Sequence, residues 1–381
     1  MPQFYLPTRV ITGLGCLSQL PAVVREHGRT VLVVCGPNAL RQSGALQQCL
    51  DLLNQAGAKA VVYDGVVSEP TLELVEAALD LARTAQVETV IGMGGGSAMD
   101  AGKAAALLAP QTGAVREYHQ GRRVEAPGLP FISVPTTAGT GTEVTNNAVL
   151  TDPPLGIKKS IRGPHLFPTA AIVDPRLTVS LPPRVTASSG ADALCQSIEA
   201  FVSSQSLPPT DALSGQAIRW IGRSLVQAYE QGSDVDARSD MLYGSLLTGM
   251  SMPHTRLGGA HALAHPLGYR FHIAHGVICG LLLPYVMEYT LAYVPEKYAQ
   301  IAQFLELDVQ GLSAKEAASK VVAAVRTILG AIGIPSRLRP FGVRPEHLEE
   351  IIQESLPSGN LESNPKRLEA NDLQVILQRA L

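Results

Sequence analysis

From residue 30 to residue 173 one pattern recurs along the chain: a short, mostly apolar, β-rich run, then a stretch with helical periodicity. Thr30–Cys35 (TVLVVC), Ala60–Asp64 (AVVYD), Thr89–Met93, Phe131–Val134 and Ala170–Val173 read as strands. Helical patterns run through Asn54, over Thr71–Gln86 and over Ser97–Ala109. Strands without polar alternation bury both faces, and helices are what join parallel neighbours, so this half predicts a parallel sheet covered on both sides. Past Leu181-Pro182-Pro183 the pattern changes to long 3.6-period segments: Arg184–Ser203, Ala212–Gln231, Arg238–Met252 and Ser313–Ile332. A chain of 381 residues exceeds one ordinary core. Two domains are expected, an α/β domain over 1–182 and an all-helical one over 183–381.

Composition narrows the function classes. Apolar residues make up 46% and charged ones 17%, which fits a well-buried globular protein. The net charge is −3 and there is no basic run of five, so neither nucleic acid nor an anionic membrane is an expected partner. The five cysteines are scattered, odd in number and without CxxC spacing, as suits reduced thiols in the cytoplasm. The first residues lack the features of a signal peptide, and apolar runs such as Val277–Leu283 look too short to span a bilayer.

Two loops in the α/β half carry chemistry. Gly92-Met-Gly94-Gly95-Gly96-Ser97-Ala-Met-Asp100-Ala-Gly-Lys103 follows a strand and opens a helix. Its glycines let backbone approach a phosphate, and the free N–H groups of a helix start face the anion. Pro135-Thr136-Thr137-Ala-Gly139-Thr140-Gly141-Thr142 follows the next strand. Four threonines and two glycines in seven positions exceed what a turn needs, and they offer hydroxyls at the carboxyl edge of a parallel sheet. Gly13-Leu14-Gly15 is different: the third glycine of a GxGxxG fingerprint is missing, and a strand-to-helix turn explains the pair better.

The helical half holds four of the nine histidines within fifteen positions, His261, His265, His272 and His275. His261 and His265, four apart, share a helix face. Pro266-Leu267-Gly268 is expected to end that helix, and His275-Gly276 to open the next. Imidazoles from two such segments can converge on one metal ion, and upstream Asp192 supplies an anionic partner, with Gln196 four residues on sharing its helix face.

Together these motifs resemble the iron-containing (group III) alcohol dehydrogenase family over almost the whole chain. GGGSAMDAGK is similar to its GGGSxxDxxK loop, and PTTAGTGTEVT to PTTxGTxxEVT. PTAAIVDPRLTVSLPP, GADALCQSIEAFVS and GAHALAHPLG…HG resemble its later blocks in the right order. The resemblance implies a Rossmann-like dinucleotide-binding domain plus an all-α metal-binding domain, the dehydroquinate synthase-like fold. It implies NAD or NADP as cofactor, Fe2+ or alternatively Zn2+ as metal, and hydride transfer between nicotinamide and a small alcohol or aldehyde. Asp192, Gln196, His261 and His275 fall at the metal positions, and His265 at a proton-transfer or substrate-positioning one. Gly36, Gly94, Gly95, Gly96, Ser97, Asp100, Thr136, Thr137, Thr140, Thr145, Asn147 and Lys158 fall at cofactor positions, with Met252 and Asn360 bordering the substrate pocket. At least a homodimer is implied, with Gln3–Val10 pairing across its interface.

Two departures qualify this. Gln196 stands where the family has a histidine, and an amide oxygen is a weaker ligand than imidazole. Gly36 stands where NAD-preferring members carry an aspartate that repels a 2′-phosphate, so NADP is not excluded. The same fold also hosts metal-independent oxo-acid reductases of the maleylacetate reductase type and dehydroquinate synthase-like lyases, and a non-catalytic binder that kept the fold is a third alternative. The metal-dependent dehydrogenase is the reading that uses every motif.

Overall fold

The computed structural model describes residues 3–67 and 69–381. These divide into two compact units: Tyr5–Thr137 with Gly141–Ser180, and Leu181–Leu381 with Ala138–Thr140 and the chain start through Phe4.

The first unit contains eight strands: β1 (Arg9–Thr12), β2 (Thr30–Val34), β3 (Lys59–Tyr63), β4 (Thr89–Gly94), β5 (Phe131–Pro135), β6 (Asn147–Asp152), β7 (Ile157–Arg162) and β8 (Ala170–Val173). Six form one sheet in the order β1-β8-β5-β4-β2-β3, every pairing parallel. Both faces are buried, and β2 shows why its run had to be apolar throughout. Leu32 and Val34 enter a core with Leu79, Val90, Ala104 and Phe131, while Val31 and Val33 enter another with Leu46, Leu53, Ile91 and Ile132. The helix Leu72–Thr84 is capped by Thr71, whose hydroxyl accepts from the Leu74 N–H. Strand order reverses between β2 and β4, the position where open α/β sheets bind ligands beyond the carboxyl ends of their strands.

Two features were not legible. β1 is a four-residue edge strand with exposed ends, too short to announce itself. β6 and β7 form an antiparallel hairpin apart from the main sheet, and the burial of β7 alternates along IKKSIR. Gly13-Leu14-Gly15 does link β1 to a 3₁₀ turn, Cys16–Gln19, where Asp174 accepts from the Gly15 and Leu17 N–H groups.

The second unit is helical, with long helices Pro183–Val202, Pro208–Glu230, Val235–Thr255, Gly259–Phe271, His275–Thr290 and Ala314–Ala331. One expectation fails here: Pro266 does not end its helix, which continues to Phe271 and stops at His272 in a left-handed conformation. A proline removes one hydrogen bond, but Leu263, Ala264 and Leu267 around it are buried, and tertiary packing outweighs that loss. The apolar stretch opened by His275 is also longer than expected. His275–Tyr293 is long and apolar enough by composition to cross a bilayer, because the helix carries through Pro284. It is 67% buried inside the fold, as a core helix would be.

Candidate functional site

Three helices of the second unit meet at one buried point. Pro183–Val202 presents Asp192, Gln196 and Glu199, whose spacing of four and then three places them on one face. Gly259–Phe271 brings His261, and His275–Thr290 brings His275 at its first residue and Cys279 one turn later. Gly276 permits the close approach of the last helix. A Cβ there would lie 1.9 Å from the Ser188 carbonyl oxygen and 3.0 Å from Asp192 Cβ.

The donor atoms point inward together. Asp192 Oδ1 lies 3.2 Å from His261 Nε2 and 3.8 Å from His275 Nε2. Cys279 Sγ lies 3.6 Å from His275 Nε2, and one donor atom each from Asp192, His261, His275 and Cys279 lie within 4.8 Å of one another. Gln196 joins from the side, its Nε2 donating to Asp192 Oδ2 at 2.9 Å, while its Oε1 is buried with no partner among the described residues. His265 is half-buried one turn beyond His261, its ring 5.6 Å from that of His275.

Glu199 was quoted in its motif but given no role, although it lies two helical turns from Asp192. Its Oε2 stands 2.6 Å from His261 Nδ1, and the two carboxylate oxygens accept from Gly258 and Ala260 N–H. With Nδ1–H given to Glu199, Nε2 is the nitrogen that faces Asp192 and would bind a metal once its own proton is released, the arrangement by which carboxylates orient metal-binding histidines.

Asp192 and Glu199 are 3% and 4% exposed, yet among the described residues neither meets a lysine or arginine; their only ion-pair partners are His261 and His275. Burial favours neutral His261, but Cys279, Glu199 and Asp192 around it hold its pKa well above the usual histidine range. A dry pocket with surplus negative charge and converging N, O and S donors fits a divalent cation.

The first unit assembles the glycine loop. Gly94, at the end of β4, has φ +146°, and a Cβ on it would lie 3.0 Å from Ala98 Cβ. Gly95 stands before the helix Gly96–Leu108, whose first turn has no side-chain cap, leaving its N–H groups to an anion. Thr136 and Thr137 are brought beside it: Thr136 N–H donates to the Gly94 carbonyl, and a Cβ on Gly95 would lie 3.3 Å from Thr137 Oγ1. Gly96 and Ser97 are partly exposed at the helix start. Gly36 lies just past β2, across the point of strand reversal.

Other expected cofactor residues are engaged within the fold. Asp100 Oδ1 accepts from Thr142 Oγ1 at 2.5 Å and Oδ2 from Val149 N–H at 3.0 Å. Lys103 Nζ donates to Thr145 and to the Asn147 carbonyl oxygen. Lys158, on β7, pairs with Glu69. Thr140 belongs to the helical unit, as do Met252 and Asn360.

Residues 7–175 match the family model described as iron-containing alcohol dehydrogenase, and 186–381 that of the family's C-terminal part. Long-chain-alcohol dehydrogenase 1 of Geobacillus thermodenitrificans is 41% identical over 97% of this chain and 94% of its own. The 1,3-propanediol dehydrogenase of Klebsiella pneumoniae is 37% identical over 93% and 92%. Among solved structures, a 1,3-propanediol oxidoreductase superposes with TM-score 0.96 at 35% identity, covering 100% of both chains. Sulfoacetaldehyde reductase from Bifidobacterium kashiwanohense, solved with NAD+, gives 0.91 at 29%, covering 100% of this chain and 98% of its own.

Proposed function

The chain belongs to the iron-containing alcohol dehydrogenase family, and on that premise we propose a metal-dependent, NAD(P)-linked enzyme that interconverts a small alcohol and its aldehyde. The observation that carries the metal is the pair of buried carboxylates, Asp192 and Glu199, facing imidazoles and no lysine or arginine among the described residues. Asp192, His261 and His275 would hold Fe2+ or Zn2+, with Gln196 orienting Asp192 or contributing weakly. Bound there, the ion supplies Lewis acidity and the nicotinamide supplies the hydride acceptor.

The chain's own residues do the rest. Glu199 keeps His261 in the tautomer whose Nε2 is free to bind. Gly94–Ser97, Thr136 and Thr137 receive the pyrophosphate, while Asp100, Lys103 and Thr145 hold that loop from behind. His265, half-buried beside His275, carries the proton between substrate and solvent on an imidazole nitrogen. With glycine at position 36 no carboxylate follows β2 directly, and Asp64 at the end of β3 is paired with Arg41, so NADPH serves as well as NADH. The edge strand β1, paired on one side with β8, supports assembly at least as a dimer, and the five free cysteines suit a cytoplasmic enzyme.

The test is to strip the protein with chelator, restore Fe2+ or Zn2+, and follow NAD(P)H oxidation with an aldehyde. Activity should vanish and return with the metal. Gln196 in place of histidine favours one rival, a metal-independent oxo-acid reductase on this fold, and full activity of the stripped protein would establish it instead.

A further inference from the structure

We infer that Cys279 is the fourth metal ligand, taking over the coordination that the histidine-to-glutamine change at position 196 gave up; this rests on the metal reading above. Gln196 is poorly placed for the task. Its amide nitrogen donates to Asp192 Oδ2, whereas both imidazoles face the other oxygen, Oδ1. Its Oε1 is buried without a partner among the described residues, but an amide oxygen is a weaker ligand for a borderline cation than a thiolate. Gln196 is therefore the group that aims the carboxylate.

Cys279 has the complementary position. It is fully buried, one turn after His275 on the same helix, so one rigid element delivers both. Bond lengths of about 2.0–2.3 Å set tetrahedral edges of about 3.3–3.6 Å between donor atoms. The separations of 3.2 Å (Asp192–His261), 3.6 Å (Cys279–His275) and 3.8 Å (Asp192–His275) lie close to those edges. The other cysteine nearby is excluded by the same geometry. Cys195 Sγ sits 3.7 Å from His261 Nδ1, the nitrogen committed to Glu199, and although it touches Cys279 it is grouped with neither Asp192 nor His275.

Coordination releases the thiol proton to solvent and leaves a thiolate. Thiolate and Asp192 carboxylate then neutralise the divalent ion among its own ligands, and Glu199 is left as one further anion, bonded to Gly258 N–H, Ala260 N–H and His261 Nδ1. A sulfur donor also changes which ion is held: it is soft, and shifts preference from Fe2+ toward Zn2+.

Chelator-stripped full-length protein loaded with Co2+ reports a sulfur ligand through a near-ultraviolet charge-transfer band, with no need for turnover. The band should appear in the wild type and in Cys195→Ser, and disappear in Cys279→Ser, which should still bind Co2+. Competition between Zn2+ and Fe2+ should move toward iron by about tenfold or more in Cys279→Ser. One Co2+ per chain without the band in wild type would overturn the cysteine ligand and leave the metal site standing. A band that survives in Cys279→Ser would overturn it equally. No bound Co2+ at all would overturn the metal reading and the cysteine with it.

Discussion

Each unit of this protein buries a cluster of charge, and the two clusters are solved in opposite ways. In the α/β unit Lys103, 1% exposed, donates to Thr142 O at 2.7 Å, Thr142 Oγ1 at 2.9 Å, Thr145 O at 3.1 Å and Asn147 O at 2.8 Å. Burial lowers its pKa to about 8, against the pull of Asp100 and Glu143, so it is still an ammonium at neutral pH. Asp100 has both oxygens bonded. Asp100 and Glu143 face this one cation, and burial raises the pKa of both carboxyls, Glu143 to about 7, so the charge nearly closes within a joint between the glycine-loop helix and the hairpin. The helical unit instead gathers Asp192, Glu199, two imidazoles and Cys279, with no lysine or arginine in reach among the described residues. A cluster that closes its own charge is scaffold. One that does not is shaped for an ion from outside.

That contrast is breakable. Removing the ammonium leaves Asp100 uncompensated, so Lys103→Met should cost about 3–5 kcal/mol of unfolding free energy in urea at pH 7. Asp192→Asn, in the stripped protein, removes one of two buried carboxylates that share the His261 imidazole and leaves Glu199 paired with it, so it should cost less than Lys103→Met. Equal losses in both would erase the distinction. Next comes Glu199→Gln, which keeps shape but weakens the orientation of His261. Metal affinity, measured by competition against a chelator, should fall about 10–100-fold with the fold retained. Unchanged affinity would mean that the helix positions alone hold the ring.

The next two tests probe the α/β side, where the proposed phosphate site offers backbone N–H groups and no charged side chain. Gly95→Val places carbon against Thr137 and blocks the phosphate approach. Dinucleotide affinity by calorimetry should drop at least tenfold, about 1.4 kcal/mol, without unfolding. The smallest effect is expected from Gly36→Asp, whose Cβ would sit 3.1 Å from the Val66 carbonyl and need a slight shift. The ratio of kcat/KM for NADH over NADPH should rise on the order of tenfold through repulsion of the 2′-phosphate. A wild type that already rejects NADPH would show that another residue sets the choice.

What the chain's order determined by itself was everything carried by local period and local chemistry. Five mostly apolar runs dictated a two-faced parallel sheet. The turn at Gly94–Ser97 was readable because a strand, four glycines and a helix start adjoin in sequence. Asp192 and His261 were readable as donors from their type and spacing. Only the tertiary structure decided the rest, because it depends on contacts between distant segments. Pro266 continues its helix since the packing of Leu263 and Leu267 outweighs one lost hydrogen bond, an energy no local rule contains. Asp100 turned inward because Thr142 and Val149, over forty residues away, offered it donors. Glu199 and Cys279 became part of the pocket because three helices cross where Gly276 lets backbone nearly touch, bringing donor atoms 60 to 90 positions apart in sequence within 4.8 Å of His261 or of Asp192.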